Sequence, residues 1–312
     1  MKSIKELYRI GTGPSSSHTM GPRKAAEMFV TRHPDAAKFK VTLYGSLAAT
    51  GKGHMTDVAI IDTLEPTAPV EIIWQPKVFL PFHPNGMTFA AFDTDDKLIE
   101  NWTVYSIGGG ALAENSDTPS IESRDVYGMN SMTEILEWCE RSGKGYWEYV
   151  KECEDSDIWD YLNEVWKTMI DSIRRGLEEE GVLPGPLNLR RKASTYYIRA
   201  TGYKQSLQSR GLVFAYALAV SEENASGGKI VTAPTCGSCG VMPAVLYHLY
   251  KSRDFSDIRI LRALATAGLV GNIVKFNASI SGAEVGCQGE VGVACAMASA
   301  AANQLFGGSL PR

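Results

Sequence analysis

The sequence predicts an α+β N-terminal domain followed by a mainly α-helical domain, divided as residues 1–153 and 154–312. Three observations predict it. Runs with strand alternation all lie before residue 108, among a few short helical patterns. From Ser131 onward the apolar residues recur at helical spacing, most clearly Trp159, Leu162, Val165, Trp166, Met169 and Ile173. A chain of 312 residues also corresponds to about two domains, each long enough to bury its own core.

Residues 4–8 read as a short helix, and residues 11–22, Gly-Thr-Gly-Pro-Ser-Ser-Ser-His-Thr-Met-Gly-Pro, as a loop leading into a helix over 21–30. Ser15, Ser16, Ser17, His18 and Thr19 therefore bring hydroxyls and N–H groups to a helix N-terminus, a natural site for a carboxylate or phosphate. The plain alternative is an N-cap with more hydroxyls than it needs; His18 embedded among them favours a ligand-facing loop.

Residues 39–44 form a strand, followed by Gly45-Ser-Leu-Ala-Ala-Thr-Gly-Lys-Gly-His-Met-Thr-Asp57. The glycines suggest a phosphate loop, but no Gly-Lys-Ser/Thr follows a four-residue spacer, so that reading is excluded. His54 is expected to open a helix running to residue 64, where the helix N-terminus disfavours imidazolium and suits a base; a capping histidine without chemistry is the alternative. Residues 70–74 and 87–93 are strands, with Leu80-Pro-Phe-His-Pro-Asn-Gly-Met87 as the turn-forming connector before the second. A further strand over 98–107 ends at Gly108-Gly109-Gly110.

Helices are expected over 132–139, 146–153 and 158–180, the last stopped by Gly181-Val-Leu-Pro-Gly-Pro186. Beyond that stop, residues 211–221, 242–252 and 258–276 read as helices, with no strand pattern of comparable strength. Residues 232–243 carry Cys236 and Cys239 as a Cys-x-x-Cys ahead of a helix. Taken alone it fits a redox pair, half a zinc site or two ligands of an iron-sulfur cluster. The βαβ context of the first and the second Cys-x-x-Cys of a zinc ribbon are both missing.

Residues 276–296, Phe-Asn-Ala-Ser-Ile-Ser-Gly-Ala-Glu-Val-Gly-Cys-Gln-Gly-Glu-Val-Gly-Val-Ala-Cys-Ala, are poor material for a packed core and suit backbone that approaches a ligand. Asn277, Ser279, Ser281, Glu284, Gln288 and Glu290 would each need a partner if buried. A helix is expected from about residue 289 to 306, which sets Cys287 just ahead of its N-terminus, a place for a metal ligand or nucleophile. A buried packing cysteine is the alternative. Cys295 is expected to point into helix packing, and the apolar final helix to expose a patch that is filled by self-association, with a homodimer as the expected assembly, or left as an aggregation liability.

The net charge of −4 argues against nucleic acid or an anionic membrane as partner. Residues 1–10 hold no apolar signal core, and the most apolar run, 291–306, is shorter than a membrane span, so a cytoplasmic protein is expected. Six cysteines in that compartment imply metal binding, chemistry or burial rather than disulfides.

Several of these segments together resemble the iron-sulfur-dependent bacterial L-serine dehydratases, or L-serine ammonia-lyases. They are Gly13-Pro-Ser-Ser-Ser-His-Thr19, Tyr44-Gly-Ser46 with Thr50-Gly-Lys-Gly-His54, Leu80-Pro-Phe-His83 with Asn85-Gly-Met87, and Tyr105-Ser-Ile-Gly-Gly-Gly110. Gly181-Val-Leu-Pro-Gly-Pro-Leu187, Thr232-Ala-Pro-Thr235 and residues 277–295 complete the set. The resemblance implies a regulatory-type β domain, an α-type catalytic domain, a 4Fe-4S cluster, and breakdown of L-serine to pyruvate and ammonia in gluconeogenic amino-acid catabolism. It assigns the α-proton base to His54, a further catalytic histidine to His83, the substrate loop to Ser15, Ser16, Ser17, His18 and Thr19, and one cluster ligand to Cys287. The family's other two cysteine ligands lie in a later segment, Cys-Asp-Pro followed by Pro-Cys, that these 312 residues do not contain. A cluster held by one thiolate is expected to be lost, which leaves a truncated, inactive relative that binds a small amino acid as the alternative.

Overall fold

The structure is a computed structural model describing residues 1–114, 124–185 and 187–308, without the side chains of residues 283 and 284; Pro186, the Glu284 side chain and residues 309–312 lie outside the described set. A 3₁₀ turn (Ile4–Glu6) and strand β1 (Ile10–Thr12) come first, then a π-turn (Ser16–Met20) running into α1 (Gly21–Arg32). Next are β2 (Lys38–Tyr44), α2 (Gly45–Thr50), a 3₁₀ turn (Gly51–His54), α3 (Thr56–Leu64), β3 (Val70–Gln75), β4 (Gly86–Phe92), β5 (Leu98–Gly108) and β6 (Ala111–Ala113). The helical part holds α4 (Met132–Ser142), α5 (Tyr146–Cys153), α6 (Ile158–Glu178), α7 (Ala193–Thr201), α8 (Gln205–Ala225), strand β7 (Lys229–Val231), α9 (Val241–Arg253), α10 (Asp257–Asn277) and α11 (Gly282–Leu305). An N-terminal region with a sheet followed by a mostly helical region is thus the observed class.

The chain forms two compact units, Gly13–Ser123 and a second made of Met1–Thr12 with Arg124–Arg312. This division falls earlier than the expected 153/154 boundary and returns the first twelve residues to the helical unit. The reason is side-chain burial that a local pattern does not announce. Ile4, Leu7 and Tyr8 are fully or almost fully buried, and Tyr8 Oη donates to the Leu264 carbonyl at 2.9 Å. Asn272 Nδ2 donates to the Lys2 carbonyl. Glu154, on the far side of the expected boundary from α4 and α5, accepts from Ser3 Oγ, Ile4 N and Tyr127 Oη. β1 pairs antiparallel with β7, Ile10 opposite Val231. Neither strand was expected, because three residues are too short to show a period of two.

In the unit Gly13–Ser123 the sheet order is β3-β2-β4-β5-β6, with β2 and β3 parallel and the other pairs antiparallel. β2 alternates as a strand half-buried on one face should: Phe39, Val41 and Leu43 face the core. They meet Phe29 of α1, Leu47 of α2, and Ile60 and Leu64 of α3 in one cluster with Met87, Phe89, Trp102 and Val104. Phe29 lies 5.4 Å from the Phe89 ring and stacks on Trp102 at 6.1 Å. The opposite face is polar, with Lys38 and Lys40 near Glu71 and Thr88 bonded to Thr103. The parallel β2–β3 pair requires a crossover, and α2, the 3₁₀ turn and α3 supply it.

The helical unit packs α6 against α8 at Gly176, where an added Cβ would lie 2.2 Å from the Ala219 carbonyl oxygen. Backbone cannot swing aside as a side chain can. Gly176→Ala is therefore expected to destabilise the protein by about 3 kcal/mol or more, at or beyond the upper end of overpacking costs; a denaturation midpoint equal to the parent's would refute this close approach. α7, which sequence periodicity did not reveal, starts where buried Glu222 accepts from the amides of Lys192 and Ala193, a carboxylate cap supplied from α8.

α11 begins at Gly282, before the expected start near residue 289, and is broken at Gly286, whose φ of 72° and ψ of 171° are far from helical. Val293, Ala294, Met297, Ala298, Ala301 and Leu305 are buried, whereas Val291 and Cys295 are exposed. The expectation that Cys295 points into packing is thus corrected: it follows the buried pair Val293 and Ala294 by about a third of a turn and leaves the packed face. All six cysteines are free thiols. No helix among the described residues is long and apolar enough to cross a membrane.

Candidate active site

His18 and His54 come together in the sheet-containing unit, their ring centroids 4.8 Å apart. His18 lies in the π-turn rather than in a loop and is buried. Ser17 Oγ stands 2.9 Å from its Nδ1 and Ser46 Oγ 3.1 Å from its Nε2. A hydroxyl can donate or accept, so a neutral ring is satisfied at both nitrogens. Burial and the neighbouring His54 push His18 down to about 4, against the Ser46 contact, so it is neutral near pH 7.

His54 does not open a helix as expected. It closes the 3₁₀ turn Gly51–His54, and Met55, with φ of 55°, breaks the chain before α3 starts at Thr56. Its Nδ1 lies 3.0 Å from the Thr50 carbonyl oxygen. A carbonyl only accepts, so Nδ1 carries the proton and Nε2 of the neutral ring keeps its lone pair. The geometry selects the tautomer a base needs.

Ser15 caps the π-turn, its Oγ accepting from the His18 amide, and Ser16 is buried beside it. Thr19, 2% exposed, donates its hydroxyl to the His54 carbonyl at 2.6 Å and accepts from the Ser15 amide. Its donor is thus engaged within the protein. His83 stands in the connector before β4, its Nδ1 accepting the Asn85 amide N–H at 3.1 Å, which sets the proton of the neutral ring on Nε2. The neighbouring Pro84 carbonyl accepts from the Ser46 amide, so the connector is tied to the turn that presents Ser46. Gly45 makes that turn possible: its φ is +47°, and a Cβ there would lie 2.6 Å from the Pro84 oxygen.

Cys287 belongs to the helical unit, exposed in the first turn after the Gly286 break. Cys236 and Cys239 lie in the same unit, each 1% exposed. Burial pushes the Cys236 thiol well up and Cys239 up to about 12, so both are held as thiols rather than thiolates. Glu290 binds the segments together, accepting from Thr235 Oγ1 in the space left by Gly237 and Gly282. Among the described residues no three His, Cys, Asp or Glu side chains converge in a way that could hold a metal ion. The described residues therefore do not by themselves fit a 4Fe-4S cluster, which rests on several thiolates acting together.

Ser46, Thr50 and Thr56 escaped sequence reasoning as site residues. Ser46 and Thr50 stand within the segments quoted for the resemblance, but nothing in their local pattern distinguishes a hydroxyl or carbonyl aimed at an imidazole from one aimed at solvent.

Two family models match the chain: serine dehydratase beta chain over residues 3–75 and serine dehydratase alpha chain over residues 52–312. Among curated proteins, the chain is 38% identical to L-serine dehydratase TdcG of Escherichia coli (strain K12), the match covering 99% of this chain and 80% of that one. L-serine dehydratase of Haemophilus influenzae is 37% identical over the same shares. L-serine dehydratase of Streptomyces coelicolor is 36% identical, covering 98% of this chain and 79% of the relative.

Proposed function

The chain belongs to the serine dehydratase family, and on that premise we propose that it is an L-serine ammonia-lyase in which His54 moves the α-proton. The observation that carries the proposal is the His54 tautomer. With Nδ1–H bonded to the Thr50 carbonyl, Nε2 is the atom that accepts a proton from Cα of serine. Ser15, Ser16 and Ser17, at the first turn of a helical segment, hold the substrate carboxylate, where helix amides favour an anion, and His18, met at both ring nitrogens by Ser17 and Ser46, orients the Ser17 hydroxyl for it. His83, with its proton on Nε2, is a second proton-handling group of the same unit.

Loss of the Cα proton and of the Cβ hydroxyl gives aminoacrylate, which tautomerises and hydrolyses to pyruvate and ammonia. A 4Fe-4S cluster would supply the Lewis acid that the leaving hydroxyl calls for. Cys287, exposed after the Gly286 break, is the chain's own candidate thiolate for it. A cytoplasmic location and a homodimer complete the reading, the homodimer supported by apolar side chains exposed at the final helix, Val291 and Phe306 among them.

A second reading, amino-acid binding without turnover, is favoured by the lack of a converging ligand set among the described residues. One experiment separates them. The purified chain is reconstituted anaerobically with iron and sulfide and desalted; iron, sulfide and pyruvate are then measured, and L-serine binding is followed by calorimetry. With Cys287 as the one exposed family ligand, less than one cluster per chain is expected to survive desalting, and pyruvate should track cluster content. A stoichiometric cluster would refute that expectation and make Cys236 and Cys239 the next residues to mutate. Serine binding without pyruvate from cluster-loaded protein supports the second reading, and no binding at all refutes both.

A further inference from the structure

We infer that Thr19 and Thr56 are positioning residues that hold the two imidazoles at their working separation, so that Thr19 serves the base rather than the substrate. The inference rests on the reading of His54 as the base. Two hydroxyls are donated crosswise: Thr19 Oγ1, beside His18, to the His54 carbonyl at 2.6 Å, and Thr56 Oγ1, two residues past His54, to the His18 carbonyl at 2.5 Å. Both threonines are buried, Thr56 completely. Each histidine is thus fixed through its own backbone by the neighbour of the other.

The remaining contacts complete the constraint. Ser46 Oγ and the Thr50 carbonyl set how each ring is turned. The threonines instead set where each ring's backbone sits, and join the π-turn Ser16–Met20 to the segment that carries His54. Met55, between His54 and Thr56, takes a left-handed conformation that a side chain rarely adopts, with φ of 55°. Such a conformation persists where its surroundings impose it, and it delivers Thr56 to the His18 carbonyl. A base must stand within hydrogen-bond reach of the proton it takes, and a misplacement of about 1 Å costs on the order of 100-fold in rate.

The test uses Thr56→Val and Thr19→Val, which keep the side-chain shape and remove the hydroxyl, beside Thr56→Ser and Thr19→Ser, which keep the hydroxyl. With turnover normalised to the cluster each preparation retains, the valine variants are expected to lose about 30-fold or more in kcat while KM moves less than about threefold, and the serine variants to stay near the parent. Imidazole nitrogen NMR supplies a readout independent of turnover: the Nδ1-protonated signature of His54 should blur in the valine variants and persist in the serine variants. If the parent makes no pyruvate, or His54→Ala keeps turnover, the functional reading fails while the NMR comparison still judges the clamp. Valine variants with parental kcat and parental imidazole signals, changed only in unfolding temperature, would overturn the inference. So would valine variants that do not fold beside serine variants that do, since the hydroxyls would then serve stability alone.

Discussion

Replacing His54 by Ala is expected to lower kcat on L-serine by about 1000-fold, within the range that a single general base contributes, with turnover normalised to the cluster content that parent and variant retain after reconstitution. Substrate affinity should change far less, because the base acts in the transition state. The fold should survive: His54 is half-buried at the end of a 3₁₀ turn, and among the described residues its side chain makes one hydrogen bond, to the Thr50 carbonyl. Cluster absorbance should survive too, since iron-sulfur clusters are held by cysteine thiolates and this substitution removes none. Steady-state kinetics beside absorbance and circular dichroism decide it, and a variant with near-parental turnover would remove His54 from the mechanism.

Acid is expected to weaken the sheet-containing unit through His18. Its folded value is pushed down to about 4 by burial and His54, against 6.5 for the ordinary side chain. Between those values the unfolded chain binds a proton that the folded chain refuses, so stability falls as pH drops from about 6.5 towards 4 and is level above that window. The full gap corresponds to about 3 kcal/mol, of which about 2 kcal/mol is lost by pH 5. The quantity that isolates His18 is the difference between parent and His18→Asn. Urea unfolding at pH 7.5 and pH 5 should show the parent losing more than the variant; equal losses would mean that His18 is not held neutral by the fold.

His18 and His54 were legible as candidates because each stands among glycines and hydroxyls, whereas His83 came from the family resemblance. What they do to one another was not legible. Thr19 read as a substrate contact, yet its hydroxyl is donated to the His54 carbonyl, thirty-five positions along the chain. His54 read as the opening of a helix because α3 follows it, and only the backbone shows Met55 turning left-handed between them. Cys236 and Cys239 stayed ambiguous until burial showed both held as thiols.

The sequence by itself determined the class of each half, because a period of two and a period of 3.6 are local: Phe39, Val41 and Leu43 alternate in β2, and the stripe from Trp159 to Ile173 fills one face of α6. It determined the family as well, since the motifs run the length of the chain. Tertiary structure alone decided that residues 1–12 join the helical unit, that Gly176 is where α6 meets α8, and that His18 faces His54. Those are contacts between residues far apart in sequence, fixed by burial and by the need of each buried donor and acceptor for a mate, and no local pattern encodes which distant group will answer.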